Sequence, residues 1–161
     1  LWSSARERAY EESAASAGMP SGVLRMPALG MAVPIYEGVT ELNLNRGAAR
    51  IDGTAALGRS GNIGLAAHRD SFFRSLKDVS IDDEITLEVA GRTLRYRVVD
   101  LRIVTPEDLH VLAGTSVPSI TLVTCFPFYY VGAPPQRYIV RAKLTGSAPT
   151  ATPPRDFPGT G

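Results

Sequence analysis

The sequence holds a single cysteine, Cys125, at the end of an apolar, β-branched run, Ser119-Ile120-Thr121-Leu122-Val123-Thr124. Pro127 follows two residues later and stops a strand from continuing. A thiol at a strand end is held by a rigid scaffold yet faces loops that a substrate can enter. It attacks as the thiolate, which a neighbouring cation favours. Two residues could supply one. His68 closes the small-residue run Gly64-Leu65-Ala66-Ala67, and Arg137 opens the run Tyr138-Ile139-Val140 twelve residues after the cysteine. A loop of that length can return Arg137 to the cysteine's end, where a guanidinium could donate two hydrogen bonds to an oxyanion or a carbonyl. Together they form a Cys/His/Arg set suited to nucleophilic acyl transfer. The competing reading is that Cys125 is a buried, inert thiol and His68 a satisfied polar residue at a strand end. His110, beside Asp108 in a long loop, has a surface role as its simplest reading. A zinc site needs three or four ligands at short local spacings, and one cysteine with two scattered histidines does not provide them, so neither metal nor cofactor is expected.

The elements that must position these residues are short strands. From Val23 onward, strands are expected over Val23–Met26, Met31–Tyr36, Ile63–His68, Glu84–Val89, Thr93 to about Val104, Ile120–Thr124 and Arg137–Leu144. Ala90-Gly91 reads as a hairpin turn. The alternation of Leu94, Tyr96 and Val98 with Arg95, Arg97 and Val99 is that of a strand with one buried face. Thr40–Arg50 reads as a turn or a single helical turn leading to Ile51. A further helical turn is expected after Asp70-Ser71, over Phe72–Leu76, and another over Glu107–Leu112. The connection Thr105–Pro118 is the longest loop, lies just before the cysteine strand, and is a candidate wall for a substrate groove. Seven or eight short strands without a βαβ rhythm predict a β-barrel or sandwich with minor helices.

The chain of 161 residues is 44% hydrophobic, enough for one domain around one core. Its net charge of +1, with acids and bases interspersed, gives no basic stripe, so nucleic acid is not an expected partner. No apolar run of about 18 residues is present, so no transmembrane helix is expected within these residues. Leu1-Trp2 opens the chain without a methionine, which is expected if an upstream segment, such as an anchor, precedes it. Residues 1–20 read as a short polar helix or stalk over Ser3–Ala17 stopped by Gly18 and Pro20, residues 21–145 as the barrel, and residues 146–161 as a loosely tethered Pro/Gly/Thr-rich tail. One cysteine cannot form an internal disulfide, so cysteine content assigns no compartment.

Three segments carry a family resemblance. Asn62-Ile63-Gly64-Leu65-Ala66-Ala67-His68-Arg69-Asp70-Ser71-Phe72-Phe73-Arg74, Thr121-Leu122-Val123-Thr124-Cys125 and Ala133-Pro134-Pro135-Gln136-Arg137-Tyr138-Ile139-Val140 resemble, in that order, the signature segments of the sortases. The TLxTC box is the most specific, and HRDSFFRSL and TCFPFYYVG most resemble class D. Ala67 stands where many relatives have glycine. The resemblance implies an all-β fold, an eight-stranded barrel with short helices. It implies a membrane-anchored cysteine transpeptidase on the outer face of the bacterial cytoplasmic membrane, held by an upstream anchor. Its partners would be an LPxTG- or LPxTA-like sorting signal on a secreted protein and an amine acceptor, a peptidoglycan precursor or a pilin lysine. Carried over, Cys125 is the nucleophile, His68 the general acid and base, and Arg137 the holder of the oxyanion or substrate backbone. A groove is expected along Ala66, Ala67, Val104, Val111, Leu112, Ile120 and Leu122, with Thr124 beside the thiol.

Two other functions fit the same residues: a protease-like hydrolase whose thioester goes to water, and a barrel that only binds. The tail ends Phe157-Pro158-Gly159-Thr160-Gly161, which differs from an LPxTG-type signal by phenylalanine for leucine. It is either a chance feature of that composition or a weak occupant of the groove.

Overall fold

The structure, a computed structural model, describes residues 18–68, 73–105, 107–125 and 136–150. The expected helix at Ser3–Ala17 and the tail from Ala151 lie outside them. Among the described residues there are eight strands: β1 Gly22–Met26, β2 Met31–Glu37, β3 Ala48–Arg50, β4 Asn62–His68, β5 Glu84–Val89, β6 Arg92–Val104, β7 Ser119–Cys125 and β8 Arg137–Pro149. They close into a barrel in the order β1-β2-β3-β4-β7-β8-β6-β5, with β1 pairing β5 to complete the ring. Closure satisfies every strand edge with a neighbour. One α-helix, α1 (Glu41–Arg46), and three short 3₁₀ helices at Pro27–Leu29, Arg74–Asp78 and Leu109–Leu112 complete the regular structure among the described residues.

Local sequence accounts for the elements around the barrel. Thr40 caps α1, its Oγ1 accepting from the Asn43 N–H at 3.1 Å, and the Asn43 side chain donates to the Glu37 and Gly38 carbonyls at 2.9 and 2.8 Å. The helix is thereby pinned to the end of β2. Gly47 then lets the chain turn against β2: a Cβ there would fall 2.2 Å from the Pro34 carbonyl oxygen. The β5–β6 hairpin turns through Ala90 and Gly91, both at positive φ (49° and 76°), as a two-residue mirror-image turn requires.

The core fills the inside of the barrel. Leu24, Ile35, Ile63, Leu65, Ile85, Leu87, Tyr96, Ile120, Leu122 and Val140 are all buried there. Burial of Tyr96 pushes its phenol up to about 12, because the phenolate would lose its water. The expected alternation of β6 holds from Leu94 to Val98. Beyond it the pairing with β8 shifts between Val98 and Asp100, so Val99 is looped out and 40% exposed. This bulge reverses the parity of the strand, so Leu101 packs on the core and Val104 joins the outer face.

The last strand departs from its expected boundary. Gly146–Pro149 continue β8 and pair with Arg92–Arg95, so the barrel extends past Thr145. Their small side chains carry little strand propensity, but the long first half of β6 offers a ladder of backbone partners that composition does not reveal.

Candidate active site

Each of the three chemically interesting residues lies at the end of a strand, and those strands are neighbours. β7 is flanked by β4 on one side and β8 on the other. The parallel β4–β7 ladder runs in unbroken register from Asn62↔Ser119 to His68↔Cys125. The antiparallel β7–β8 ladder runs to Val123↔Ile139. Two more steps of that register bring Arg137 level with Cys125, and Arg137 opens β8 opposite Val104 of β6. The Tyr138 N–H donates to Thr124 Oγ1 at 3.0 Å, which holds the start of β8 against the end of β7. With strands about 4.8 Å apart, the backbones of His68 and Arg137 stand about 10 Å from each other across that of Cys125.

Strand alternation puts the three positions in one series. On β4, Ile63, Leu65 and Ala67 belong to the interior core, leaving Gly64, Ala66 and His68 to the outside. On β7, Ile120 and Leu122 are interior, so Thr121, Val123 and position 125 form the outer series. On β8, Val140 and Ala142 are interior, and Ile139, Arg141 and position 137 are outer.

The outer surface of these strands carries its own apolar layer. Val123 and Ile139 pack with Val111 of the β6–β7 connection, and Ile51, Val104 and Leu112 flank them. Ala66 packs with Ala49 and with Leu44 of α1, and Ile51 joins both groups. Among the eight residues expected to line a groove, the structure therefore brings four together on this face: Ala66, Val104, Val111 and Leu112. The other four do not join them. Ala67, Ile120 and Leu122 have no exposed surface and are part of the barrel's interior. Thr124 shares their parity and spends its hydroxyl on the Tyr138 backbone. The expectation mixed odd and even positions of the same strand. Counting back by twos from His68 and Cys125 selects Ala66, Gly64, Val123 and Thr121, and would have found Val123, which it missed.

His110 borders the edge of this layer: it lines a cavity of about 110 Å³ with Asp100, Arg102, Asp108 and Arg141, and Val111 and Ile139 of the apolar layer line the same cavity over the outer face of β6 and β8. Asp108 accepts from the His110 backbone N–H at 3.2 Å. No group of three His, Cys, Asp or Glu suited to a metal ion occurs among the described residues.

Comparison with known proteins agrees with this architecture. The family model described as the sortase domain matches residues 24–145. The chain is 31% identical to Sortase D of Bacillus subtilis (strain 168) over 127 residues, covering 78% of this chain and 64% of that protein. It thus spans slightly less than two thirds of that relative's length. Among solved structures, it is similar to the Sortase D5 transpeptidase of Clostridium perfringens, with a TM-score of 0.71 and 26% identity over 89% of this chain and 90% of that one. It is also similar to a mutant of sortase E from Streptomyces avermitilis, with a TM-score of 0.70 and 27% identity over 82% of this chain and 91% of that one.

Proposed function

The chain belongs to the sortase family, and on that premise we propose that it is a cysteine transpeptidase that cuts an LPxTG- or LPxTA-like sorting signal after threonine and passes the acyl chain to an amine. The observation that carries the proposal is the register: His68 is the cross-strand partner of Cys125, and β8, on the other side of β7, opens at Arg137. Residues far apart in sequence, and of the types acyl transfer needs, thus stand at the ends of neighbouring strands on one rim of the barrel, which supports the reading.

In the proposed reaction, the Cys125 thiolate attacks the threonine carbonyl carbon, and the carbonyl π electrons move to oxygen. Arg137 donates to that oxyanion or to the adjoining substrate backbone. A donor fixed before the charge develops stabilises the transition state more than the ground state. As the tetrahedral centre collapses, the C–N bond breaks and the imidazolium of His68 gives its proton to the departing amine, leaving a thioester. The acceptor amine then attacks the thioester, His68 takes its proton, and Cys125 leaves as the thiolate. The peptide would lie along Ala66, Val104, Val111 and Leu112, the four expected groove residues that share the outer face.

The acceptor would be a peptidoglycan precursor or a pilin lysine, and the enzyme would work on the outer face of the bacterial cytoplasmic membrane, held by an anchor upstream of these residues. No helix among the described residues is long and apolar enough to cross a membrane. The test is incubation with LPxTG and LPxTA peptides and a small amine, read by mass spectrometry. An acyl–amine product is expected. Free acid alone, with amine in excess, would replace transfer by hydrolysis, and intact peptide throughout would sink both.

A further inference from the structure

Asn62 opens β4, six residues before His68, and the residue is 2% exposed. Its amide is fully employed. Nδ2 donates to the Val111 carbonyl at 2.9 Å and to the Ala113 carbonyl at 3.1 Å, and Oδ1 accepts from the Thr121 hydroxyl at 2.7 Å. Thr121 itself has no exposed surface. One buried amide therefore ties together β4, β7 and the connection that crosses their outer face. The Val111 carbonyl receives a second donor, Arg141 Nη2 of β8, at 2.7 Å.

These bonds grip the part of the connection that faces the site. Val111 packs on Val123 and Ile139, and Leu112 lies so close to β4 that a Cβ on Gly64 would come within 3.1 Å of its Cδ2. The glycine lets the loop approach, and the asparagine holds it there. A loop left to itself would have to be ordered when peptide binds, at an entropic cost that weakens affinity.

We propose that Asn62 is a positioning residue that holds Val111–Ala113 as the preformed wall of the peptide groove. This inference rests on the acyl-transfer reading for the identity of the ligand, but not for the state of the loop. The wall acts on the peptide and not on the bond-making atoms, so its loss raises KM and leaves the intrinsic reactivity of the thiol alone.

The experiment compares the parent with Asn62→Asp and Asn62→Ser. Asp keeps the acceptor for Thr121 but sets an oxygen against two carbonyl oxygens; Ser is smaller and carries no such repulsion. KM for an LPxTG peptide is expected to rise at least about tenfold in the Asp variant, the scale of one broken buried hydrogen bond. The kcat is expected to stay within about threefold, and the rate of Cys125 alkylation by iodoacetamide within about twofold. An unchanged KM in a folded variant overturns the proposal, as does a fall in kcat and alkylation parallel to the rise in KM, which marks general loosening. Hydrogen–deuterium exchange on the peptide-free parent gives a reading independent of both variants and of turnover. The Ala113 N–H, which donates to the His110 carbonyl, is expected to be protected before any peptide is added. Fast exchange there, slowed only by peptide, means the wall forms on binding and overturns the proposal. An inactive parent would sink the transfer reading, while this exchange measurement still decides the latch.

Discussion

The inner and outer faces of β4, β7 and β8 are built from alternate residues of the same segments, yet they obey different rules. Apart from Thr124 at its rim, the inner face is apolar and sealed: Ile63, Leu65, Ile120, Leu122 and Val140 have no exposed surface. The outer face mixes a thin apolar layer with a buried amide, a hydroxyl and the positions of His68, Cys125 and Arg137. The inner face contributes stability through apolar area removed from water, which is insensitive to exact geometry as long as volume is kept. The outer face depends on register, because a slip of one residue would send its whole series inward. Mutations one residue apart on one strand should therefore fail in different ways.

The sharpest break in that symmetry is Cys125→Ala. It should abolish peptide turnover while leaving the thermal midpoint nearly unchanged, and turnover close to the parent's would remove Cys125 as the nucleophile. Arg137→Lys should follow, with a loss of at least about 10²-fold in kcat/KM, since a point-charge ammonium cannot reproduce the planar two-donor fork. A lysine variant within threefold of the parent would make Arg137 a bystander. Across the sheet, Leu122→Ala should cost about 2–5 kcal/mol of unfolding free energy, measured by denaturant titration, with the folded fraction retaining its kcat. If instead kcat fell as steeply as for Arg137→Lys, the two faces would not be separable. The mildest test concerns Tyr96, whose burial holds its phenol at about 12 in the folded chain against an ordinary value of 10. The unfolded chain loses that proton first as pH rises, so stability is complete below pH 10 and declines on the way to pH 12. Tyr96→Phe should flatten that part of the stability curve, and an unchanged slope would assign the loss to other groups.

The same division explains what could be read from the sequence. Barrel class, most strands and the strand-end positions of His68, Cys125 and Arg137 were legible, because short β-branched runs punctuated by glycine and proline have few alternatives. Where one face is apolar and the other charged, as in β6 from Leu94 to Val98, the alternation was plain. β4 and the inner part of β7 are buried on both faces, so alternation vanishes from the residue types, and the groove was assigned across two parities. The bulge at Val99 could not be foreseen, because it is set by pairing with β8 and not by any local signal. Ala48–Arg50 is too short for a period to show, and merged with the helical turn before it. The extension of β8 through Gly146–Pro149 was hidden by its composition and exists because β6 is long enough to pair with it.

The order of the ring has a consequence for how the chain assembles. β7 and β8 are the last strands in sequence, yet they stand between β4 and β6. Until they dock, β4 and β6 each present an unpaired edge, the kind of surface that recruits other chains. Were the first six strands to pair first, the final two would have to wedge into that gap, a step of high contact order that slows folding. Cys125 is carried into register with His68 in that same step. A chain arrested before it would hold Cys125 without its cross-strand partner His68, so the proposed transfer activity should emerge only as the gap closes.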